Sequence, residues 1–291
     1  MRLRAMAKIN LGLDVIKKRV DGYHEVRMVM QTIRMYDQLD IEVSKDTGIR
    51  METNLSYLPV NENNLVCKAA KLLMDEFDIR QGLDIHLKKI IPVAAGMAGG
   101  SSDAAAAMVG VNQIFQLGLS EQELMGRAVA IGADVPYCIM RGTALAEGIG
   151  EELTPLNDAP DCYVLIGKPG ISVSTKFVYD NLKADEIKQH PNIDELVLAI
   201  QENDFYKMAN NIGNVLEGVT IPNYPIIEQI KQKMLDNGAT SAVMSGSGPT
   251  VFGLFDDEKK AMAARVALKE SRVARQVFLT TFFNGGNKHG K

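Results

Sequence analysis

The chain has 291 residues, 46% of them hydrophobic and 23% charged, a globular balance far from the composition of a disordered segment. A formal net charge of -4 argues against a surface built to grip a nucleic-acid backbone, which would be basic, yet leaves room for a locally positive pocket that takes a small anion. Cys67, Cys138 and Cys162 stand far apart, with no CxxC pair and no histidine at metal-ligand spacing, so reduced thiols of a cytoplasmic protein are expected rather than disulfides or a zinc site.

The N-terminal stretch "MRLRAMAKINLGLDV" carries Lys8 and Asn10 where a signal peptide would need an apolar run, and no later run is long enough to cross a bilayer. Alternation and β-branched residues predict strands over 5–16, 28–43 and 84–89, with Asp21-Gly22 as a turn after the first. From Glu62 to Phe77 the apolar residues keep to one helical face. The stretch "IPVAAGMAGGSSDAAAAM", residues 91–108, then reads as strand, glycine turn and helix. Pro92 ends the strand, Gly96, Gly99 and Gly100 let the backbone turn tightly, and Ser101, Ser102 and Asp103 are expected as N-cap residues before the Ala-rich helix. Such a helix start presents unpaired N–H groups and a partial positive charge, which suits a phosphate, although a turn holding nothing uses the same residues. The loop is neither a Walker A motif nor a Rossmann fingerprint, because neither spacing is present.

Further on, Ser120 and Glu123 make a capping box, and Gly132 is expected as the left-handed end of that helix. Asp134 in "GADVP" reads as a turn residue before Pro136. "CYVLIG" and "TVFGLF" are predicted strands, and Pro225 to Gly238 a helix. The fifteen methionines, with no tryptophan, are expected to fill the core, and the terminal "NGGNKHGK" to fray. Strands and helices interleave without a strict βαβ rhythm, so the class is α+β. We place the division between an N-terminal part, 1–155, and a C-terminal part, 156–291. Taken alone, Lys8 and Lys89 are strand residues, Asn64 a helix cap, Tyr23 a core residue, His24 a structural histidine and "SGSGP" a hairpin turn.

Three motifs give the chain a relative. The loop Pro-x-x-x-Gly-x-x-Gly-Gly-Ser-Ser-x-Ala-Ala resembles the phosphate loop of the GHMP kinases, small-molecule kinases unrelated to the Walker type. "AKINLGLDVIKKRVDGYHEV" resembles the N-terminal motif of one branch of that family, and "AVMSGSGPTVFGLF" its third, glycine-rich motif; the ordered set spans 7–255, with "IGADVPYCI" and "AEGIGEEL" between. Ala94, Ala95 and Ala98 depart from the family's glycines and Asp103 from a frequent Asn, so a stiffer loop is expected, with Asp103 either turned away from the phosphates or lying on a helix start.

The resemblance implies a two-domain fold with an N-terminal half like domain 2 of ribosomal protein S5, a ferredoxin-like C-terminal half and a cleft between them. It implies an ATP-dependent kinase, with Mg2+, acting on an alcohol that carries a cytidine diphosphate. By the same resemblance Asp134 accepts the proton of the attacking hydroxyl, Lys8 orients it and steadies the phosphoryl group, and Asn10 lies beside it. Tyr23, His24 and Tyr179 hold the cytosine, with Thr175 as a nearby polar contact. Pro92, Val93, Ala94, Ala95, Gly96, Met97, Ala98, Gly99, Gly100, Ser101 and Ser102 carry the ATP phosphates, and Asn64 and Lys89 line the nucleotide. The metal ligands stay open, no nucleic-acid or membrane partner is implied, and a monomer or weak homodimer is expected. A GHMP kinase for mevalonate or homoserine, which would not need the aromatic set, is the first alternative; a non-catalytic binding module of the same fold is the second.

Overall fold

Residues 1–285 are described by the computed structural model, so most of the expected terminal fraying lies outside the described residues. The chain groups into two compact units that are interleaved in sequence: unit 1 comprises Met1–Ala7, Met35–Val93 and Ala98–Met140, and unit 2 comprises Lys8–Arg34, Ala94–Met97 and the chain from Arg141 onward. Both boundaries near the N-terminus fall inside long strands, β1 (Arg2–Lys18) and β2 (His24–Ser44). The grouping therefore does not follow a single cut such as 155/156.

In unit 1 the second half of β2 pairs antiparallel with β4 (Gly82–Lys88), in register from Gln38↔Lys88 to Ser44↔Gly82, and β3 (Ile49–Thr53) runs parallel to β4. Along β4, Leu83, Ile85 and Leu87 are buried, the period-two pattern of a strand with one face on the core. Helix α1 (Leu65–Glu76) buries Val66, Ala69, Ala70 and Leu73. Helix α2 (Gly99–Ile114) buries Ala104 through Ala107 and Met108, so it is apolar around most of its girth, as a fully packed helix must be. At Gly110 an added Cβ would lie 2.6 Å from Ile41 and 2.7 Å from Leu3, so this glycine lets α2 approach the strands closely. Helices α3 (Glu121–Ala128) and α4 (Val135–Met140) complete the unit.

In unit 2 the first half of β2 pairs with β5 (Thr143–Glu147), which pairs in turn with β6 (Glu152–Pro155), both antiparallel. A second sheet has the order β11-β7-β10-β9, all neighbours antiparallel, from β7 (Tyr163–Lys168), β9 (Ser241–Met244), β10 (Val251–Phe255) and β11 (Gln276–Thr281). With α9 (Ile226–Leu235) after β7 and α10 (Glu258–Ser271) after β10, this is the βαββαβ ferredoxin-like unit. Between β7 and α9 the chain inserts α5 (Thr175–Asn181), a 3-10 turn, α6 (Ile193–Gln201), α7 (Phe205–Asn210), the short β8 (Gly213–Asn214) and α8 (Glu217–Asn223). β8 lies parallel to β1, with Gly12↔Gly213.

Most predicted elements are present, with shifted ends. The helix expected over 62–77 is α1, capped by Asn64, whose side chain accepts the Val66 N–H. The Ser120/Glu123 capping box is present, but α3 stops at Ala128, and Gly132 is not left-handed. Sequence reading also misplaced the start of α2: the cap is Ala98, left-handed at φ 53°, with no side-chain bond, while Ser101, Ser102 and Asp103 already lie inside the helix. The expected methionine core is present in Met28, Met30, Met97, Met108 and Met244 among others.

Candidate functional site

The glycine loop begins where β4 ends. Ala94 (φ 49°), Gly96 (φ 71°) and Ala98 (φ 53°) are left-handed at alternate positions, while the intervening Ala95 and Met97 point inward and are buried. Two of the three left-handed residues carry a Cβ, which costs roughly 1–2 kcal/mol each. The helix start that follows has no side-chain cap and no acidic residue in its first turn, so its N–H groups and partial positive charge stay available to an anion. Ser102 is turned from the loop surface; its hydroxyl donates to the Met6 carbonyl at 2.6 Å.

Behind this helix start lies a buried ionic cluster in unit 1. The Lys89 ammonium contacts Asp37 and lies 2.6 Å from Asp103 Oδ2, with all three side chains almost fully buried. Asp37 also accepts the N–H groups of Ile90 and Ile91, the latter at 2.8 Å, and so fixes the exit of β4. An added Cβ on Gly99 would stand 3.2 Å from Lys89 Nζ, which places the ammonium directly under the first residue of α2. Burial, and then the Asp37 charge, push the Asp103 carboxyl well above the usual carboxylate range against the pull of Lys89, and Asp103 Oδ1 makes no hydrogen bond. Burial works against the charge on Lys89, but the two carboxylates outweigh it and raise its pKa. Asp103 is thus turned from the loop surface, as expected. The Lys89 side chain is committed to carboxylates inside the protein, and Asn64 to the Val66 N–H and the Pro59 carbonyl.

In unit 2, β1 presents Lys8 and Asn10 on the same side of the strand, both buried, with Lys8 Nζ donating to Asn10 Oδ1 at 2.7 Å. Asn10 Nδ2 reaches Met28 Sδ at 3.5 Å. At the start of β2, His24 is buried against Tyr179 of α5, ring centroids 5.2 Å apart and planes tilted by 39°. Burial, then the charge of Lys18, lower the His24 pKa, and its Nε2 is buried without a hydrogen-bond partner. Tyr23, by contrast, is 61% exposed, in a turn where its N–H donates to Asp21. Thr175 shares a 2.8 Å hydroxyl contact with Ser247 of the glycine-rich C-terminal motif. Asp134, in unit 1, forms the turn into α4, where its carbonyl accepts the Cys138 N–H at 3.1 Å.

The structure thus joins Lys8 with Asn10, His24 with Tyr179, and Thr175 with Ser247. Asp37, Asn214 and Glu217 escaped sequence reading. Asp37 had one signal, a carboxylate on the same period-two face as Met35, Leu39 and Ile41; the other two sit in "GNVLEG", which resembles an ordinary loop. No group of three or more His, Cys, Asp or Glu side chains suited to a metal exists among the described residues. None of the helices among the described residues is long and apolar enough to cross a membrane.

Comparison with known proteins gives the family. The model described as "GHMP kinases N terminal domain" matches residues 64–142, and "GHMP kinases C terminal" matches 189–273. The chain is 57% identical to the 4-diphosphocytidyl-2-C-methyl-D-erythritol kinase of Lachnoclostridium phytofermentans, covering 98% of each chain. It is 54% identical to the protein of the same name from Lachnospira eligens, covering 97% of this chain and 98% of that one. Among solved structures, a 4-(cytidine 5'-diphospho)-2C-methyl-D-erythritol kinase superposes with TM-score 0.85 at 30% identity, covering 98% of this chain and 100% of the other. A homoserine kinase from Cytophaga hutchinsonii gives TM-score 0.76 at 21% identity, covering 97% and 96%, and shares the fold. The chain belongs to the GHMP kinase family and, within it, to the group of 4-diphosphocytidyl-2-C-methyl-D-erythritol kinases.

Proposed function

We propose that this protein transfers the γ-phosphoryl group of ATP to the 2-hydroxyl of 4-diphosphocytidyl-2-C-methyl-D-erythritol, by direct attack without a phospho-enzyme. The observation that carries the choice of substrate is the His24–Tyr179 pair: an imidazole with an unused, buried Nε2 beside an aromatic plane. A pyrimidine offers both a ring face and a hydrogen-bonding edge to such a pair, and base stacking is worth about 1–3 kcal/mol. In the same reading Tyr23 gives the base a second plane and Thr175 a polar contact.

In this reading Asp134 accepts the hydroxyl proton, Lys8 holds the hydroxyl and offsets the charge of the moving phosphoryl group, and Asn10 fixes the direction of the Lys8 ammonium through their 2.7 Å bond. The loop from Pro92 to Ser102 takes the ATP phosphates on backbone N–H groups and the α2 helix start, whose lack of an acidic first turn suits an anion. Asn64 and Lys89, with side chains engaged inside the protein, shape the surroundings of the nucleotide. Mg2+, when bound, would neutralise phosphate charge, with ATP and the loop hydroxyls as its coordinating groups. A cytoplasmic monomer or weak homodimer, without nucleic acid or membrane, completes the proposal.

The test is ATP consumption by purified protein with the cytidylyl alcohol, beside mevalonate and homoserine, with CDP as competitor. Turnover with the cytidylyl substrate alone, inhibition by CDP and near loss in Asp134→Asn are expected. Turnover with another alcohol, or indifference to CDP, would remove the role assigned to His24 and Tyr179.

A further inference from the structure

β9 is the edge of its sheet, and the last residue of an edge strand exposes backbone groups that must find partners. Met244 pairs with Val251, and the next residue, Ser245, bonds to Thr250, which leaves the N–H and carbonyl of Met244 directed away from β10. Side chains capture both. Glu217, the first residue of α8, accepts the Met244 N–H at 2.7 Å. Asn214, 8% exposed, donates to the Met244 carbonyl and to the Gly246 carbonyl, each at 2.7 Å, while its own Oδ1 accepts the Leu216 N–H at 2.9 Å. Glu217 is anchored in turn by Lys231 of α9 at 2.6 Å, both side chains mostly buried. Side chains of β8 and α8 therefore converge on one turn, with α9 bracing the second of them.

That turn touches the glycine loop. Ser245 Oγ donates to the Gly96 carbonyl at 2.8 Å, and an added Cβ on Gly96 would stand 2.1 Å from the Ser245 carbonyl oxygen. The backbone of Gly96 rests on the backbone of Ser245, so a shift of the turn is a shift of the loop's midpoint. We infer that Asn214 and Glu217 are positioning residues for the phosphate loop, holding the Met244–Gly246 turn on which Gly96 rests. This rests on the ATP-dependent transfer proposed above. Neither side chain need touch the nucleotide: they act through Ser245.

The experiment compares Asn214→Ala, Glu217→Gln, Glu217→Ala and Ser245→Ala with Leu268→Ala, a core truncation in α10 that lowers the melting temperature without touching the turn. Two readouts are taken on folded protein: hydrogen exchange at the Ser245 and Gly248 amides without nucleotide, and the dissociation constant for ATP. Asn214→Ala is expected to speed exchange at both amides and weaken ATP about tenfold, the scale of two lost hydrogen bonds to carbonyls. Glu217→Gln keeps an acceptor for Met244 and should restore most of what Glu217→Ala loses. Ser245→Ala should weaken ATP while the turn amides stay protected. If Asn214→Ala and Glu217→Ala lower only the melting temperature, as Leu268→Ala does, or if Ser245→Ala leaves ATP affinity unchanged, the inference is overturned. Should the wild type bind no ATP while Asn214→Ala still loosens the turn, the brace stands and the transfer reading falls.

Discussion

At the fifth position of α2, Asp103 shares one buried ammonium with Asp37, an arrangement in which two carboxylates and one cation leave a surplus negative charge. Burial and that repulsion favour a proton on Asp103. A carboxyl with a folded-state pKa above its unfolded value is penalised as pH rises past the unfolded value, so the neutral Asp103→Asn should be at least as stable as wild type at pH 7. Lys89→Met leaves carboxylates buried without their cation and should cost about 3–5 kcal/mol; urea unfolding of the two variants measures both. His24 has the opposite sign. Its lowered pKa means the unfolded chain binds the proton more readily, so stability should fall as pH drops below about 6.5, and His24→Gln should flatten that slope. Of these residues, His24 was legible as a candidate because it sits in "GYHE". Asp37 was not, because nothing in a strand's alternation announces a partner fifty residues away.

Among the elements, the glycine positions make the sharpest statements. Gly167 of β7 lies where an added Cβ would meet Ile230 and Met234 of α9 at 2.9 Å and Leu268 of α10 at 3.0 Å. Two helices pack onto the sheet through this gap, and Gly167→Ala should cost about 1–3 kcal/mol by overpacking, visible as a lower melting temperature with the ATP dissociation constant unchanged. Gly96→Ala combines a left-handed φ with a clash against backbone that cannot swing away, so it should abolish ATP binding by displacing the loop. The long strands, the amphipathic α1 and the capping box of α3 were legible because periodicity and caps are local signals. β3, β5 and β6 were not: each has only four or five residues and depends on a partner strand for its existence. The start of α2 was misjudged because two serines and an aspartate signal a cap, whereas here a left-handed alanine turns the chain and the polar residues serve buried partners.

For the whole molecule, motif order was readable from the sequence and carried both fold and family, since the three glycine-bearing stretches occur in the expected sequence. The unit boundaries were hidden, because β1 and β2 each contribute to both units and no linker marks the change. All three cysteines are buried, with burial pushing the Cys67 and Cys162 thiols up, so the folded protein should resist iodoacetamide at pH 8 and label at all three positions in denaturant. The interleaving of the units also sets an order of assembly on the ribosome. Unit 1 has all of its residues once Met140 has emerged, whereas Lys8–Arg34, made almost first, must wait for partners such as Thr143–Glu147 and Gly213–Asn214. β1 and β2 pair with each other as soon as both are made, but the far edge of each stays open until those later strands exist, an unpaired edge that chaperones are suited to shield until translation ends.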